Sequence, residues 1–312
     1  MDNLTHSLAG WALGEAGLKR RTGLGLATLI IAANLPDIDV IGLAFGENLA
    51  FRRGITHGPL AWAIMIPGLA LAMQAFDRWQ ARRGTRPESR PPVHLGWLLV
   101  LSAIGVLSHP ALDFLNVYGI RLLMPLSERW FYGDTLFIID VWVWLALGLG
   151  VFLARRRKRE GPARAALAVV AAYVGLMGYG SHVAEVKTAQ AVNAAGYGKP
   201  RQVVANTPPI NPFRRQMIYD VGGRYGYGET SLLPPRLSLA APFATHMDDP
   251  AIPAAAAQSK EIADFLYWSR LPFAEVKRDA GTARVVLNDA RFLDRRGPSL
   301  FRVEAIVPER SQ

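Results

Sequence analysis

The sequence predicts an all-α transmembrane helical bundle of about six spans, followed by a small α+β soluble domain with an antiparallel sheet. The chain has 312 residues, of which 51% are hydrophobic, but its two halves differ in character. Long apolar runs dominate residues 1–183, whereas residues 184–312 mix charges, prolines and short alternating stretches. We therefore predict a membrane domain over 1–183 and a separate domain over 184–312.

Apolar runs in the first half define the predicted spans. There are six such segments, at about 4–18, 22–45 with an interruption at Pro36, 59–76, 95–115, 135–154 and 163–183. A helix needs roughly 20 residues, within a range of about 17–25, to cross a bilayer. The segments at 59–76, 135–154 and 163–183 fit best, and the short first segment could instead be a half-buried helix.

Clusters of basic residues orient the predicted bundle. The net charge is +10, and much of the excess lies between apolar runs, at 19–21, 78–90 and 155–159. Basic clusters beside membrane spans mark the cytoplasmic side. This predicts both termini outside and an extracytoplasmic C-terminal domain. Because the charges occur in these short clusters, we predict no nucleic-acid partner.

Short patterns in residues 184–312 predict the α+β domain. The stretch 213–232 indicates two strands around Gly222 and Gly223, which is a hairpin signal. Helical spacing of apolar residues predicts a helix over 259–271. Residues 283–289 and 300–307 have the character of strands. No strong catalytic motif is present in this half.

Six potential metal ligands fall on one side of the predicted membrane domain. They lie at the outer ends of the segments, and they are His6, Asp37, Asp39, His57, His109 and Asp113. Ionisable residues within membrane segments are costly and usually have a function. The orientation rests on lysine and arginine alone, so the common location of these six residues is independent evidence for a site.

The residue types favour a divalent metal. Imidazoles and carboxylates suit Zn²⁺ or Mn²⁺, and the absence of cysteine excludes thiolate ligands. His109 and Asp113 are four residues apart and share a helix face, although Pro110 predicts a kink between them. Six ligands exceed what one catalytic zinc needs and suit two ions.

Each of these residues also has a simpler interpretation. A single aspartate can be a helix cap, and a single histidine can be an interfacial residue bonded to the backbone. Arg53 lies on the correct side to bind a phosphate or a developing anion, but it could equally face lipid headgroups. Asn116 could orient a ligand or a substrate.

Four motifs resemble a known family. The stretches DNLTHSLAG, NLPDIDVIG, RRGITHGPL and SHPALDFLNVYG are similar to the signature of predicted bacterial inner-membrane metal-dependent hydrolases of the YdjM-like group. The resemblance covers the membrane half well and the other half only through NPFRRQMIYD and NDARF. It implies a bacterial inner-membrane location, with ligands His6, Asp37, Asp39, His57, His109 and Asp113 and with Arg53 nearby.

Two departures from that signature concern substrate contacts rather than ligands. Arg52 stands where members often have histidine, and Gly58 stands where they often have serine. A more distant similarity is to zinc-dependent phospholipase C and P1-type nucleases, through a pair like His109 and Asp113. That similarity implies phosphoester hydrolysis.

The leading functional hypothesis is a membrane-bound metal-dependent hydrolase. It would cleave a phosphoester of a lipid or lipid-linked substrate with water activated by two divalent ions, zinc or alternatively manganese. Two alternatives are a metal transporter, whose ligands should lie near mid-membrane, and a structural membrane scaffold without catalysis.

Overall fold

The computed structural model describes residues 1–46, 49–279, 281–293 and 301–308. The chain forms two units. The helical unit contains Met1–Phe45, Arg53–Tyr179 and Pro209–Pro212, and the sheet unit contains Gly46–Arg52, Gly180–Pro208 and Phe213–Gln312. Residue 184, the predicted start of the second domain, lies inside a long helix, Gly161–Ala194.

Helices build the first unit. They are α1 (Asn3–Glu15), α2 (Gly25–Asn34), α3 (Pro59–Arg82), α4 (Leu95–Phe114), α5 (Val141–Arg157) and the first part of α6 (Gly161–Ala194), whose residues from Gly180 onward belong to the sheet unit. A 3₁₀ stretch, Leu35–Phe45, follows α2 directly because Pro36 has no amide hydrogen to continue the α-helical pattern. The α4 helix, in contrast, includes Pro110 without interruption, so His109 and Asp113 share one helical face.

Four elements within the described residues are long and apolar enough to cross a membrane. They are Gly25–Phe45, Pro59–Arg82, Leu95–Phe114 and Gly161–Ala194. The 13 residues of α1 and the 17 residues of α5 correspond to about 20 Å and 26 Å of helix. Both are shorter than the hydrocarbon core of about 30 Å. The membrane-like helical unit agrees with the prediction, whereas the count of six spans is not confirmed.

Small residues let α1 and α4 approach α2 closely. A Cβ atom added to Gly10 of α1 would lie 2.7 Å from the carbonyl oxygen of Leu29. One added to Gly105 of α4 would lie 2.4 Å from the Cβ of Ala32. Helices in membranes associate through such small residues because lipid provides no hydrophobic force between them.

This packing predicts the effect of a single methyl group. We expect Gly105→Ala to lower stability by about 1–3 kcal/mol, because α2 and α4 must separate. The matched control is Gly96→Ala in the same helix, where an added Cβ would meet no atom within 4 Å. Thermal unfolding of both variants in detergent checks the prediction, and equal melting temperatures would contradict it.

Antiparallel strands form the second unit, as predicted, but they form two sheets where the sequence indicated one. The first contains β1 (Gln202–Asn206), β2 (Arg214–Asp220), β3 (Arg224–Leu232), β4 (Pro235–Leu239) and β5 (Phe243–Ala244), in the order β1-β2-β3-β4 with β5 also paired to β3. The second contains β6 (Pro272–Asp279), β7 (Thr282–Asp289) and β8 (Arg302–Pro308) in sequence order. Two helices separate the sheets along the chain, α7 (Ala251–Gln258) and α8 (Lys260–Trp268).

The individual predictions for this unit are largely confirmed. The predicted hairpin is the β2–β3 pair, whose turn glycines Gly222 and Gly223 have φ angles of 81° and 72°. The predicted helix over 259–271 is α8, which Ser259 caps through the amide of Ile262. The strand predicted over 300–307 corresponds to β8, and Leu300 lies outside the described residues.

A buried ion pair in the sheet unit predicts a pH dependence of stability. Asp289 is fully buried and accepts hydrogen bonds from Arg291 Nε at 2.8 Å and Ser269 Oγ at 2.5 Å. Burial alone would raise the pKa of this carboxyl, but the Arg291 charge and these hydrogen bonds lower it overall. Its stabilising effect is therefore present above the unfolded-state pKa of about 4 and is lost as the pH falls through the lower folded-state pKa.

We expect Asp289→Asn to cost about 3–5 kcal/mol near neutral pH, because Arg291 would be left buried without its counter-ion. The difference from wild type should be constant above about pH 5 and should shrink below about pH 4. Calorimetric melts between pH 3 and 7 measure this difference in stability, and Asp279→Asn, at an exposed residue, is the control. A stability difference that stays constant down to pH 3 would contradict a lowered pKa of Asp289 in the folded protein.

Candidate metal centre

The predicted ligands come together at one end of the helical unit. His6 lies in the first turn of α1, the Asp37–Asp39 stretch follows α2, and His57 lies two residues before the start of α3. The remaining two, His109 and Asp113, lie at the end of α4. All six side chains are buried, and Asp37 is the most exposed of them at 9%. Segments far apart in sequence thus contribute to one polar cluster in an apolar unit.

Local sequence explains how these side chains are held. Asp2 caps α1 by accepting hydrogen bonds from the amides of Leu4 and Thr5, which fixes the turn that carries His6. Pro59 occupies the first position of α3, where its missing amide hydrogen costs nothing. The helix therefore begins two residues after His57, with Gly58 as its N-cap.

Two groups of three residues have the geometry of a metal site. One is His6, His109 and Asp113, and the other is Asp37, His57 and His109. Within each group, one ligand atom from each residue lies within 4.8 Å of the other two. His109 belongs to both groups, so it is the geometric link between them.

Asp113 lies at the centre of the cluster. Its Oδ1 is 3.3 Å from His6 Nε2 and also contacts the α-amino group of Met1. Its Oδ2 is 3.6 Å from Nε2 of both His57 and His109. The two oxygens therefore face different histidines.

The outer contacts of the histidines determine which nitrogens face the cluster. His109 Nδ1 lies 2.7 Å from the carbonyl oxygen of Ala33. A carbonyl only accepts, so Nδ1 carries the proton and the neutral ring presents a lone pair at Nε2. His57 Nδ1 lies 2.9 Å from Thr56 Oγ1 and 3.6 Å from Asp39 Oδ2, which favours the same tautomer. Metal-binding histidines in proteins are oriented in this way by carbonyl and carboxylate partners.

Asp37 and Asp39 have different positions relative to the histidines. Asp37 Oδ1 lies 3.7 Å from Nε2 of His109, on the ligand side. Asp39 Oδ2 instead accepts a hydrogen bond from the Arg53 amide at 2.8 Å and faces the outer nitrogen of His57. The sequence grouped both aspartates as ligands, but the geometry gives Asp39 the position of a residue that orients His57.

Arg53 and Asn116 contact the cluster without belonging to either group of three. The Nε atom of Arg53 is 3.0 Å from Asp113 Oδ2, and its Nη1 donates to Asn116 Oδ1 at 3.0 Å. Its guanidinium also lies 4.7 Å from the ring centre of Tyr118. Arg53 is only 5% exposed, so it compensates the Asp113 charge and connects α4 to the segment that precedes α3.

The backbone of Arg53 is also unusual. Its φ angle is 54°, in the left-handed region that side-chain-bearing residues rarely adopt. This conformation directs its amide to Asp39, while its carbonyl accepts a hydrogen bond from the Arg121 amide at 3.0 Å. Strain at a residue whose main chain and side chain both contact the cluster is typical of functional sites.

The donor set fits a divalent ion. His57 Nε2 and His109 Nε2 are 3.1 Å apart, and two atoms that each lie about 2.1 Å from one zinc ion in tetrahedral geometry are about 3.4 Å apart. Without an ion or a proton between them, two lone pairs would face each other. Neither ring nitrogen of His6 makes a hydrogen bond of ordinary geometry within the described residues. Buried polar groups of this kind usually have a partner.

Some contributors to the cluster were not predicted. The carbonyl of Ala33 orients His109 but has no signature in the sequence, since every residue has a carbonyl. The Thr56 hydroxyl lies 3.4 Å from Asp39 and 2.9 Å from His57. The position of Thr56 directly before His57 in the sequence could have indicated this contact.

Comparison with known proteins gives one match. Residues 1–184, which include every residue of the cluster, match a family described as YdjM inner membrane protein. No curated protein and no solved structure matches the chain, so the distant similarity to phospholipase C and P1-type nucleases gains no support. Because the family model covers more than half of the sequence, the chain belongs to the YdjM inner membrane protein family.

Proposed function

We propose that this protein is a membrane-embedded metal-dependent hydrolase that cleaves a phosphoester of a lipid or lipid-linked substrate. The observation that carries the proposal is the convergence of the His57 and His109 lone pairs, 3.1 Å apart, beside the carboxylate of Asp113. When bound there, Zn²⁺ or Mn²⁺ would act as a Lewis acid and would make water more acidic.

The ligand set accommodates two ions if Asp113 is shared. A neutral imidazole has one lone pair, so His109 can serve only one ion at a time. His57, His109 and Asp37 would then hold one ion, and His6 with the other oxygen of Asp113 would contribute to the second. With the ligands divided in this way, two ions can bind, and the Nε2 atom of each histidine binds only one of them.

The other residues of the cluster would act through position and charge. Asp39 and Thr56 hold the His57 ring, and the Ala33 carbonyl holds His109, so neither ring must reorganise during reaction. Arg53 is already committed to Asp113 and Asn116, which supports a positioning role over direct phosphate binding. The Asn116 Nδ2 group is buried and has no hydrogen-bond partner among the described residues, so it is a candidate donor to substrate.

Access to the cluster supports a lipid substrate. A shallow groove is lined by Asp37 together with Ile30, Ile31, Leu35, Ile38 and two asparagines, Asn3 and Asn34. Ile31 and Ile38 are about half exposed, and they belong to an element long and apolar enough to span a membrane. An amphiphile could therefore place its apolar part along α2 and its phosphate at the most exposed ligand.

Hydrolysis of defined lipids tests this function. Detergent-purified protein, chelator-treated and then supplied with Zn²⁺ or Mn²⁺, is assayed against a lipid phosphate monoester, a lipid diphosphate and a phospholipid diester. Inorganic phosphate is measured for the first two substrates, and the phosphomonoester product is measured for the diester. We expect metal-dependent product formation that falls at least about 10³-fold in Asp37→Asn, because a ligand carboxylate is removed. The control is Ser102→Ala in α4, which removes a buried hydroxyl that makes no hydrogen bond within the described residues. Equal activity in both variants would contradict the proposal.

A structural metal site is the second candidate. It is favoured by the complete burial of His6, His57, His109 and Asp113, since structural sites lack an open coordination position. Under this alternative the loaded protein would bind metal, gain thermal stability and hydrolyse none of the three substrate classes.

A further inference from the structure

Two adjoining cavities lie at the end of the helical unit opposite the candidate metal centre. The first, of about 310 Å³, is polar, and its basic lining residues are Lys19, Arg20, Arg155, Lys158 and Arg159. Glu15 and Glu160 are its acidic lining residues, so the lining has three net positive charges.

Salt bridges neutralise only some of the basic residues that line the first cavity. Lys19 pairs with Glu15 at 2.5 Å, and Arg20 pairs with Glu160 at 3.2 Å. Among the described residues, Lys158 and Arg159 form no ion pair. Unpaired cations in a cavity whose acidic residues are already paired with other cations favour an anionic ligand.

The second cavity is apolar and opens beside the first. It is a groove of about 630 Å³ between α5 and α6, and its walls include Leu149, Leu153, Ala165 and Val169. Its α5 residues run from Ala146 to Arg157, a distance of about 16 Å along the helix. Leu149 and Val169 are each 58% exposed.

Arginines stand at one end of this groove and connect the two cavities. Arg157 and Arg159 line the groove, and Arg159 also lines the basic cavity. The tight connection between α5 and α6 produces this arrangement, because Lys158 ends α5 in a left-handed conformation with φ of 52° and α6 begins at Gly161. The apolar groove between α5 and α6 thus ends at the basic cavity.

We propose that these cavities form a binding site for one anionic phospholipid. Its phosphate would contact Arg157, Lys158 and Arg159, and an acyl chain would lie in the groove between α5 and α6. The shape and the charge both match this occupant, and basic pockets between helices on the cytoplasmic side are a known recognition mode for anionic lipid headgroups. The site is independent of the candidate metal centre and of the proposed hydrolysis.

Native mass spectrometry of the full chain in detergent tests the headgroup part. The probes are phosphatidylglycerol and phosphatidylcholine with the same acyl chains, with and without inorganic phosphate as competitor. We expect one tightly bound phosphatidylglycerol and at least about tenfold weaker phosphatidylcholine. Arg157→Gln with Arg159→Gln should weaken phosphatidylglycerol about 25-fold, at about fivefold per charge. The matched control is Arg82→Gln with Arg83→Gln at the end of α3, outside both cavities.

A second pair of variants tests the acyl-chain part. Ala165→Trp should fill the groove and weaken the binding of phosphatidylglycerol, whereas Ala168→Trp in the same helix should not, since Ala168 is exposed and outside the groove.

Equal losses of phosphatidylglycerol binding in the two arginine pairs would overturn the proposal in favour of diffuse surface charge. Displacement of the lipid by inorganic phosphate, with no effect of Ala165→Trp, would overturn it in favour of a free-phosphate site. A dimer in which a second copy covers the groove would overturn it as well.

Discussion

Replacing Asp113 by asparagine is expected to abolish metal binding while preserving the shape of the side chain. Each carboxylate oxygen of Asp113 faces a different part of the cluster, with Oδ1 near His6 and Oδ2 near His57 and His109. An amide has one oxygen and a poorly ligating nitrogen, so at least one of these directions is lost. The same change also leaves the Arg53 guanidinium without its counter-charge.

We expect the Asp113→Asn variant to lose the stabilisation that bound metal gives to the wild-type protein. A ligand at about 1,000 times its Kd stabilises a folded protein by about 4 kcal/mol. We expect wild type to melt at a clearly higher temperature with saturating Zn²⁺ than with a chelator, and Asp113→Asn to melt at one temperature under both conditions. Ser102→Ala, also buried in α4, should keep the full metal-dependent shift. A shift of wild-type size in Asp113→Asn would contradict its role as a ligand.

Replacing Arg53 by lysine is expected to weaken both stability and metal affinity although the charge is kept. The guanidinium contacts Asp113 at 3.0 Å and Asn116 at 3.0 Å at the same time. A lysine ammonium is a point charge without the planar fork, so it cannot reproduce both contacts. The cost should be about 2–4 kcal/mol, and residues that orient metal ligands typically alter affinity by about 10–100-fold.

The size of the Arg53→Lys effect should depend on metal. A bound cation would compensate part of the Asp113 charge, so the loss of stability should be larger after chelator treatment than after Zn²⁺ loading. Thermal melts under the two conditions measure this difference, with the exposed Arg129→Lys as a control. If Arg53→Lys lost phosphate release while its metal affinity and stability stayed unchanged, Arg53 would contact substrate directly rather than position Asp113.

The clustering of the potential metal ligands could be predicted from the sequence because ionisable residues are conspicuous in apolar segments. His6, His57, His109 and Asp113 stand out for this reason, and one-sided basic clusters gave them a common location. Which side chains face one another within the cluster could not be predicted. Whether Asp39 faces the inner or outer nitrogen of His57 depends on the 3₁₀ path after α2 and the left-handed Arg53, and neither has a sequence signature.

The fold was predictable to a similar extent. Hydrophobic runs located the helices, and the paired glycines Gly222 and Gly223 located the β2–β3 hairpin. The division of the strands into two sheets was not accessible, because strand pairing is decided by contacts between residues distant in sequence. The predicted first and fifth spans became the short helices α1 and α5, since mean hydropathy alone does not determine where a helix begins and ends.

Elemental mass spectrometry of the purified wild-type protein tests the central claim most directly. The protein is loaded with Zn²⁺ or Mn²⁺, freed of unbound ions and compared with a His109→Ala variant treated in parallel. We predict at least about one tightly bound ion per wild-type chain and a loss of that ion in the variant, because His109 belongs to both groups of three ligands. Folded wild-type protein that retains no metal above the buffer background would contradict the account. The cluster would then be a network of neutral imidazoles and charge-compensated carboxylates.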